Sequence, residues 1–260
     1  MFNSRHRCLL GMLALILLQT SAAAQWVSQA AATMPRKPNG APDLDAPMPR
    51  AADGKPDLSG LWHVRAYGKY HGNLAADLGK VPLNSLGERM YKTHMEKLGA
   101  EDPATRCLPS GVPRFYGDPF PFKILQQPGI MMMLLESGTL YRQIFTDGRE
   151  LPVNPTPTWL GYSVGQWSGD EFVVHSRGFN GKTWLDSNGL PTSDALQVTE
   201  RLHRRNYGQM DAVITIDDAK VYAASWTVTL PLELMPESEL IEFVCLENEK
   251  DLMHIRNEKQ

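Results

Sequence analysis

The stretch Phe122–Gly148, "FKILQQPGIMMMLLESGTLYRQIFTDG", contains three short apolar runs, each followed by a glycine turn. The turns are Pro128-Gly129, Ser137-Gly138 and Asp147-Gly148. Short turns with glycine between β-prone runs are typical of hairpins. This stretch therefore predicts consecutive antiparallel strands.

The same pattern continues on both sides of this stretch. Further β-prone runs are "LWHV", "YSVGQWS", "EFVVHSRG", "ALQVTERLHRR", "QMDAVITI", "WTVTLPLEL" and "ELIEFVCLE". No helices alternate with them, which argues against a parallel α/β sheet. A long hairpin series has to close or pair with a second sheet, because open edges invite aggregation. We expect a mainly β fold, an antiparallel barrel of about nine or ten strands. A sandwich or a propeller fragment is the alternative.

The first run begins with Gly60-x-Trp62, in "SGLWHV". A glycine allows a tight turn, and a large aromatic side chain two residues later can plug one end of a closed sheet. This start resembles the lipocalin and calycin barrels, whose first strand carries such a motif. The resemblance implies a closed barrel of that kind.

One helix is predicted before most of the strands, near residues 85–98. Ser85 and Glu88 have the spacing of a capping box. Gly99 suits the left-handed conformation that often ends a helix. One face of this helix would carry Leu86, Met90, His94 and Leu98.

The N-terminal part divides into two segments. Residues 1–24 combine early arginines, the apolar run Cys8–Leu18 and the small residues Ala22 and Ala24, which is the order of a secretory signal peptide. This order predicts cleavage after Ala24 and an exported protein, periplasmic or secreted; an uncleaved anchor is the alternative. Residues 25–58 contain six prolines and few large apolar residues, which predicts a proline-rich linker. Residues 59–260 would form the barrel domain.

Charge and motifs exclude several classes of function. The formal net charge is −3, without the basic stripe that nucleic-acid binding needs. After the signal peptide, no run is long and apolar enough to span a membrane. The chain has no H-E-x-x-H, phosphate loop or C-x-x-C motif. We therefore predict no cofactor and no metal, with a metal site assembled from distant histidines as the alternative, and a small molecule as the partner. No oligomeric state is predicted.

Two cysteines follow the predicted signal peptide, Cys107 and Cys245. In an exported protein such a pair suggests a disulfide. Two buried thiols are the alternative, because cysteine often packs as a small apolar residue.

Strand alternation predicts which charges share a face with apolar side chains. Glu200 falls on the apolar face of "ALQVTERLHRR", between Val198 and Leu202. Arg142 shares a face with Ile144 in "TLYRQIFT". The other face of that run carries Gln143 with Tyr141 and Phe145, so Arg142 is one candidate for the interior. Because a charge buried alone is costly, Glu200 and Arg142 would be partners inside the barrel if both face inward. They would form either a structural ion pair or the polar floor of an apolar cavity; a strand end in solvent is the third reading.

Three segments rich in glycine and proline carry aromatic and charged side chains and could cover the barrel mouth. They are "RCLPSGVPRFYGDPF", "LPVNPTPTWLG" and "GFNGKTWLDSNGLPTSDAL". Long loops of this composition are often functional, although aspartates also serve turns. The candidate residues on them are Arg114, Tyr116, Trp159, Asn180, Trp184, Asp186 and Asp194.

These residues suit cofactor-independent acid–base chemistry, in a lyase or isomerase acting on a small apolar or aromatic molecule. Glu200, Asp186 and Asp194 would be bases if burial raises the pKa of their carboxyl groups. Arg142 or Arg114 would hold an anionic group. The predicted substrate-binding residues are Arg114, Tyr116, Trp159, Asn180 and Trp184. A periplasmic carrier without catalysis and a structural envelope protein are the alternatives.

Several motifs resemble a large group of exported bacterial proteins that mostly have no assigned function. They are "PDLSGLW", "RCLPSGVPR", "FTDGRELP", "PTWLGYSVGQW", "GFNGKTWLD", "SDALQVTER" and "EFVCLENEKD". The likeness runs from about Pro56 to Asp251. It implies no role for any single residue.

Overall fold

The structure of this protein is a computed structural model, which describes residues 34–245 and residue 247. The predicted signal peptide, residues 1–24, lies outside the described residues. So do the first part of the predicted linker and the end of the motif "EFVCLENEKD".

Nine strands form one closed barrel in which each strand pairs with the next and β9 pairs with β1. The strands are β1 Gly60–Val64, β2 Phe122–Gln127, β3 Ile130–Leu135, β4 Leu140–Phe145, β5 Tyr162–Ser168, β6 Glu171–Arg177, β7 Gln197–Arg204, β8 Gln209–Asp217 and β9 Trp226–Leu234. The prediction of a mainly β, closed barrel is thus confirmed.

The barrel is mixed, so the prediction of a purely antiparallel sheet is wrong at one pair. β4 and β5 run parallel and pair only through Ile144 with Ser163 and Phe145 with Val164. A parallel neighbour requires the chain to return to the end where the previous strand began. Residues 146–161 make this return, and they form a long connection in place of a tight hairpin turn.

Two α-helices precede most of the strands, where one was predicted. They are α1 Tyr67–Gly72 and α2 Ser85–Glu96. α2 is capped by Asn84, whose side-chain oxygen accepts hydrogen bonds from the amides of Leu86 and Gly87. The predicted capping box at Ser85 is therefore displaced by one residue, because an asparagine side chain reaches the same free amides.

Gly87 lets α2 pack closely against the barrel. A Cβ atom on Gly87 would lie 2.1 Å from the carbonyl oxygen of Val221. We expect Gly87→Ala to lower the free energy of unfolding by about 1–3 kcal/mol, although alanine is the better helix former. The matched control is Gly68→Ala in α1, where nothing lies within 4 Å of the added Cβ atom; it should raise the free energy by about 0.5–1 kcal/mol. Urea denaturation measures both, and equal effects would contradict the packing argument.

The two ends of the barrel are covered differently. The upper end, where β1 stops and β2 starts, carries residues 65–121 and the loop 178–196. The lower end, where β2 turns into β3, is covered by residues 34–58. This part of the predicted linker is docked: the amides of Tyr207 and Gly208 donate to the carbonyls of Ala46 and Leu44.

Residues 34–58 contain a tandem repeat that the sequence analysis missed. "MPRKPNGAPDL" begins at Met34, and "MPRAADGKPDL" begins 14 positions later, at Met48. Each copy forms a small hairpin closed by an antiparallel bridge, Arg36 with Pro42 and Arg50 with Pro56. In each hairpin the arginine side chain donates to the carbonyl of the turn glycine. The second hairpin is latched to the barrel, because Arg50 forms two hydrogen bonds, of 3.0 and 2.8 Å, with Asp170.

Trp62 lies at the lower end of the barrel interior, as the Gly-x-Trp start suggested. Its indole is fully buried and donates to the carbonyl of Leu58. The guanidinium of Arg204 lies 5.0 Å from the Trp62 ring and donates to the carbonyls of Asp57 and Tyr207. Burial lowers the pKa of Arg204 to about 10.

Candidate functional site

The barrel centre contains the ion pair that strand alternation predicted. Arg142 donates from one terminal nitrogen to Oε1 of Glu200 at 2.8 Å and from the other to Oε2 at 2.5 Å. Both side chains are almost entirely shielded from solvent, with exposures of 1% and 0%. Tyr116, reaching down from the upper end, donates its hydroxyl to Oε1 of Glu200 at 2.8 Å.

The remaining polar groups of this central cluster are also paired. Arg142 donates to the hydroxyls of Ser163 and Ser176. Burial by itself lowers the pKa of the Arg142 guanidinium. The carboxylate of Glu200 outweighs this effect, so the pKa is raised above its ordinary value. Burial, reinforced by the charge of Glu200, raises the pKa of Tyr116 well above its ordinary value. These shifts favour a charged Arg142 and a neutral Tyr116 on either side of Glu200.

Large apolar side chains fill the space around this cluster. Buried Met133 and Phe122 are among them: the Met133 sulfur lies 3.8 Å from a terminal nitrogen of Arg142, and the Phe122 ring lies 5.3 Å from the Tyr116 ring. Both oxygens of Glu200 already accept hydrogen bonds from protein groups. Of the two readings of the pair, this geometry matches the structural ion pair, since a base needs an oxygen that can reach a substrate.

Asp186 is buried and organises the upper end. Its carboxylate accepts hydrogen bonds from the backbone amides of Leu74, Gly189 and Leu190. Burial raises the pKa of Asp186, and these hydrogen bonds partly offset the rise. Through these hydrogen bonds Asp186 joins the chain after α1 to the loop 178–196, so its role is structural.

The other candidates on the upper loops are dispersed. Asp194 is exposed and pairs with Lys220 at 2.5 Å, which lowers the pKa of the carboxyl group, so it lacks the desolvation that its predicted role as a base requires. The side chain of Asn180 accepts a hydrogen bond from the amide of Lys182, as in a turn. Trp184 is buried and stacks on His94, with ring centroids 4.2 Å apart. Trp159 is half-buried in the 146–161 connection.

A cavity of about 310 Å³ opens at the upper end, beside the candidate Arg114. Its apolar wall includes Leu108, Phe120 and Phe243, and the two phenyl rings lie 4.4 Å apart. Cys107 and Cys245 line the same cavity and are joined by a disulfide. The disulfide holds the C-terminal segment with Phe243 against the cavity.

Three polar side chains line the inner side of this cavity, His71, Arg114 and Asp118, and Asp102 is bonded to Arg114. We call these four residues the upper cluster. Arg114 forms two hydrogen bonds of 2.7 Å with Asp102. The carboxylate of Asp118 lies between His71 and Arg114. Its Oδ1 atom is 3.6 Å from Nδ1 of His71 and 3.9 Å from Nε of Arg114. Burial opposes the charge of Arg114, but Asp102, with Asp118 and Asp186, raises the pKa of its guanidinium.

The upper cluster has unused hydrogen-bonding capacity. Nδ1 of His71, Nε of Arg114 and Oδ2 of Asp118 are buried atoms without a hydrogen-bond partner. Within the described part of the chain only two other side-chain atoms, on Arg177 and Trp226, share this property. Buried polar atoms are almost always satisfied, so three such atoms in one place indicate a site that a ligand or water completes.

The sequence predicted one of the four members of this site. Arg114 was predicted, and Asp118 lies in the same segment, "RCLPSGVPRFYGDPF". His71 and Asp102 were missed, because they lie in stretches where no periodic pattern shows which way a side chain points. The one signal for Asp102 is its position just before Pro103 at the start of a 3-10 turn, where it accepts a hydrogen bond from the amide of Ala104.

No group of three or more histidine, cysteine, aspartate or glutamate side chains within residues 34–245 is arranged to hold a metal ion. Nor does any helix in this range have the length and apolar character needed to cross a membrane.

Comparison with known proteins adds no identification to this geometry. The sequence matches no protein-family model and no curated protein.

Proposed function

We propose that this protein is an exported, cofactor-independent enzyme of the lyase or isomerase class, and that the upper cluster is its acid–base site. The acid–base role falls to His71 and Asp118, which have buried polar atoms without a hydrogen-bond partner. Glu200 does not suit this role, because both of its carboxylate oxygens already accept hydrogen bonds from protein groups. The single observation that carries it is the convergence of three unpartnered buried atoms at one cavity.

His71 is the proposed base. Its side chain is 41% exposed, while its Nδ1 atom is buried on the side of Asp118. With the proton on Nδ1 directed at the carboxylate, Nε2 carries the lone pair and can accept a proton from a substrate. The 3.6 Å separation from Asp118 is longer than a hydrogen bond. Such contacts commonly shorten when a substrate binds.

Arg114 and Asp102 are the proposed support of this pair. The positive charge of Arg114 stabilises the carboxylate of Asp118, and Asp102 fixes the orientation of the guanidinium through two hydrogen bonds. Two carboxylates, of Asp102 and Asp118, face this one guanidinium.

The substrate class follows from the cavity. A volume of about 310 Å³ with a wall of leucine and phenylalanine suits a small apolar or aromatic molecule. Asp118 disfavours an anionic group next to His71. We also propose that the barrel is related to the lipocalin and calycin barrels, which the position of Trp62 supports, and that the protein is exported, which the order of residues 1–24 supports.

The aromatic probe 5-nitrobenzisoxazole tests the proposed base. A base removes its C3 proton, the N–O bond breaks, and the electron pair ends on the phenolate oxygen while a nitrile forms. We expect His71→Asn to lower the rate constant of this reaction by about 10²–10⁴-fold, the usual contribution of a general base. Asp118→Asn should also lower it.

The control is His175→Asn, at a half-buried histidine on the outer face of the barrel whose Nδ1 bonds the hydroxyl of Thr199. This variant should react like the wild type. Thermal denaturation of all variants separates loss of the base from loss of the fold. Equal rates for His71→Asn and His175→Asn would refute the assignment.

A further inference from the structure

We propose a second binding site, at the lower mouth of the barrel, for an uncharged apolar small molecule. A cleft of about 420 Å³ lies there, at the end of the barrel opposite the upper cluster. It shares no lining residue with the cavity of the upper cluster.

The cleft is the unfilled end of the barrel interior. Its apolar floor consists of Met131 and Phe172, which belong to the buried core. Trp167 and Thr146 stand nearer the mouth, and the rings of Trp167 and Phe172 are 5.1 Å apart. The interior is therefore closed around the central ion pair and open to a ligand below it.

The mixed topology creates this opening. β4 and β5 pair through two residues only, so β5 continues from Gly165 to Ser168 without β4 beside it. The wall is also thin at Gly165, where a Cβ atom would lie 2.3 Å from the Phe172 ring. Two long strands paired along their full length would have covered the floor that Phe172 forms.

The second repeat hairpin forms the outer wall of the cleft. Ala51, Ala52 and Asp53 line it, and the Arg50–Asp170 pair holds the hairpin in place. Gln126 fixes the same hairpin, since it accepts from the amide of Leu58 and donates to the carbonyl of Pro56.

Charge decides the class of ligand. None of the described residues that line the cleft is lysine, arginine or histidine, and one of them is the carboxylate residue Asp53. A buried anion without a cation is strongly disfavoured. The cleft therefore binds an uncharged molecule with an apolar body, and it rejects the carboxylate or sulfonate of the same shape.

Two fluorescent probes of nearly equal shape test this. N-phenyl-1-naphthylamine is uncharged, and 8-anilino-1-naphthalenesulfonate carries a sulfonate. We expect the uncharged probe to bind to the purified protein at least about tenfold more tightly than the anionic one. Equal affinities, or tighter binding of the anionic probe, would overturn the proposal.

The repeat supplies a matched pair of variants. Ala51→Trp places a large ring in the cleft, and Lys37→Trp places the same ring at the equivalent position of the first hairpin, which is exposed. Ala51→Trp should weaken binding of the uncharged probe at least about tenfold, and Lys37→Trp should leave it unchanged. His71→Asn should also leave it unchanged, which separates this site from the proposed enzyme site. Equal binding to Ala51→Trp and Lys37→Trp would show that the probe lies elsewhere.

Discussion

Glu200→Gln is expected to lower the free energy of unfolding by about 3–5 kcal/mol, because it leaves the charge of Arg142 buried without a counter-ion. The amide of glutamine can accept one hydrogen bond from Arg142, but it brings no negative charge. It also adds two N–H donors in a space where Tyr116 and Arg142 are themselves donors. Most small domains have only about 5–15 kcal/mol of stability, so this is a large share.

The same substitution at the surface is the control for this prediction. Glu171 pairs with Arg201 at 2.8 Å between β6 and β7, and both side chains are largely exposed, at 36% and 45%. Glu171→Gln should cost no more than about 1 kcal/mol, because water and salt screen an exposed pair. Urea denaturation followed by circular dichroism measures both variants. A cost for Glu200→Gln no larger than that for Glu171→Gln would contradict the buried-pair argument.

A double variant distinguishes loss of the pair from loss of packing. Glu200→Leu together with Arg142→Met removes both charges and keeps apolar volume in the barrel centre. Replacing a whole buried ion pair by apolar residues is often neutral, although it leaves the hydroxyls of Tyr116, Ser163 and Ser176 to pair among themselves. We therefore expect the double variant to be more stable than Glu200→Gln. Turnover of the benzisoxazole probe should survive in it, since the proposed base is His71.

Breaking the disulfide between Cys107 and Cys245 should have an effect of similar size. The two residues are 138 positions apart. A cross-link over so long a loop restricts the unfolded chain by about 4–5 kcal/mol in the chain-entropy treatment. We expect Cys107→Ser with Cys245→Ser to lower the free energy of unfolding by up to about this amount.

The disulfide also holds one wall of the upper cavity. The carbonyl of Phe243 accepts a hydrogen bond from Thr139, and the amide of Ile241 donates to buried Glu136. These contacts are weak, at 3.3 Å each. Without the cross-link Phe243 should leave Phe120 more often, and probe turnover at His71 should fall.

Reduction of the native protein provides the control for this variant. A reducing agent should destabilise the wild type and leave the double cysteine variant unaffected, as followed by urea denaturation. If the reducing agent leaves the wild type equally stable, the cross-link contributes nothing and the prediction is wrong.

Local sequence signals were sufficient for the nine strands of the barrel and for the central ion pair. The prediction of a strand at "ELIEFVCLE" is wrong, because residues 239–245 form no strand. Side chains alternate strictly along a strand, so Glu200 and Arg142 had to face inward wherever their apolar neighbours did. The glycine turns at Pro128-Gly129 and Ser137-Gly138 likewise specified their hairpins. The 14-residue repeat was missed, because it is shorter than the periods of about 20–50 residues that are typical of many repeat folds.

Tertiary structure alone decided how the ends of the strands are arranged. The parallel pair of β4 and β5 depends on the path of residues 146–161 around the outside of the barrel, which no turn residue specifies. The parallel pair also leaves a cleft at the lower mouth of the barrel, between the barrel rim and the second repeat hairpin. Whether the interior is hollow depends on how the summed volume of the inward side chains, such as Trp62, Phe122 and Tyr116, compares with the volume that a nine-stranded barrel encloses. Every strand contributes to that comparison, so no local pattern reveals it.

The composition and alternation of the chain by themselves determined a mainly β fold with Glu200 and Arg142 on apolar strand faces, because hairpin turns and the two-residue period act over neighbouring positions. Closure into a barrel, with a sandwich or a propeller fragment as the alternative, was decided by the tertiary structure. Only the tertiary structure brought His71, Asp102, Arg114 and Asp118 together beside one cavity. His71 lies in the short helix α1, and the other three side chains lie within residues 102–118, so two segments far apart in sequence have to meet. Their meeting depends on how those segments pack across the barrel mouth, where no repeating pattern links sequence position to direction.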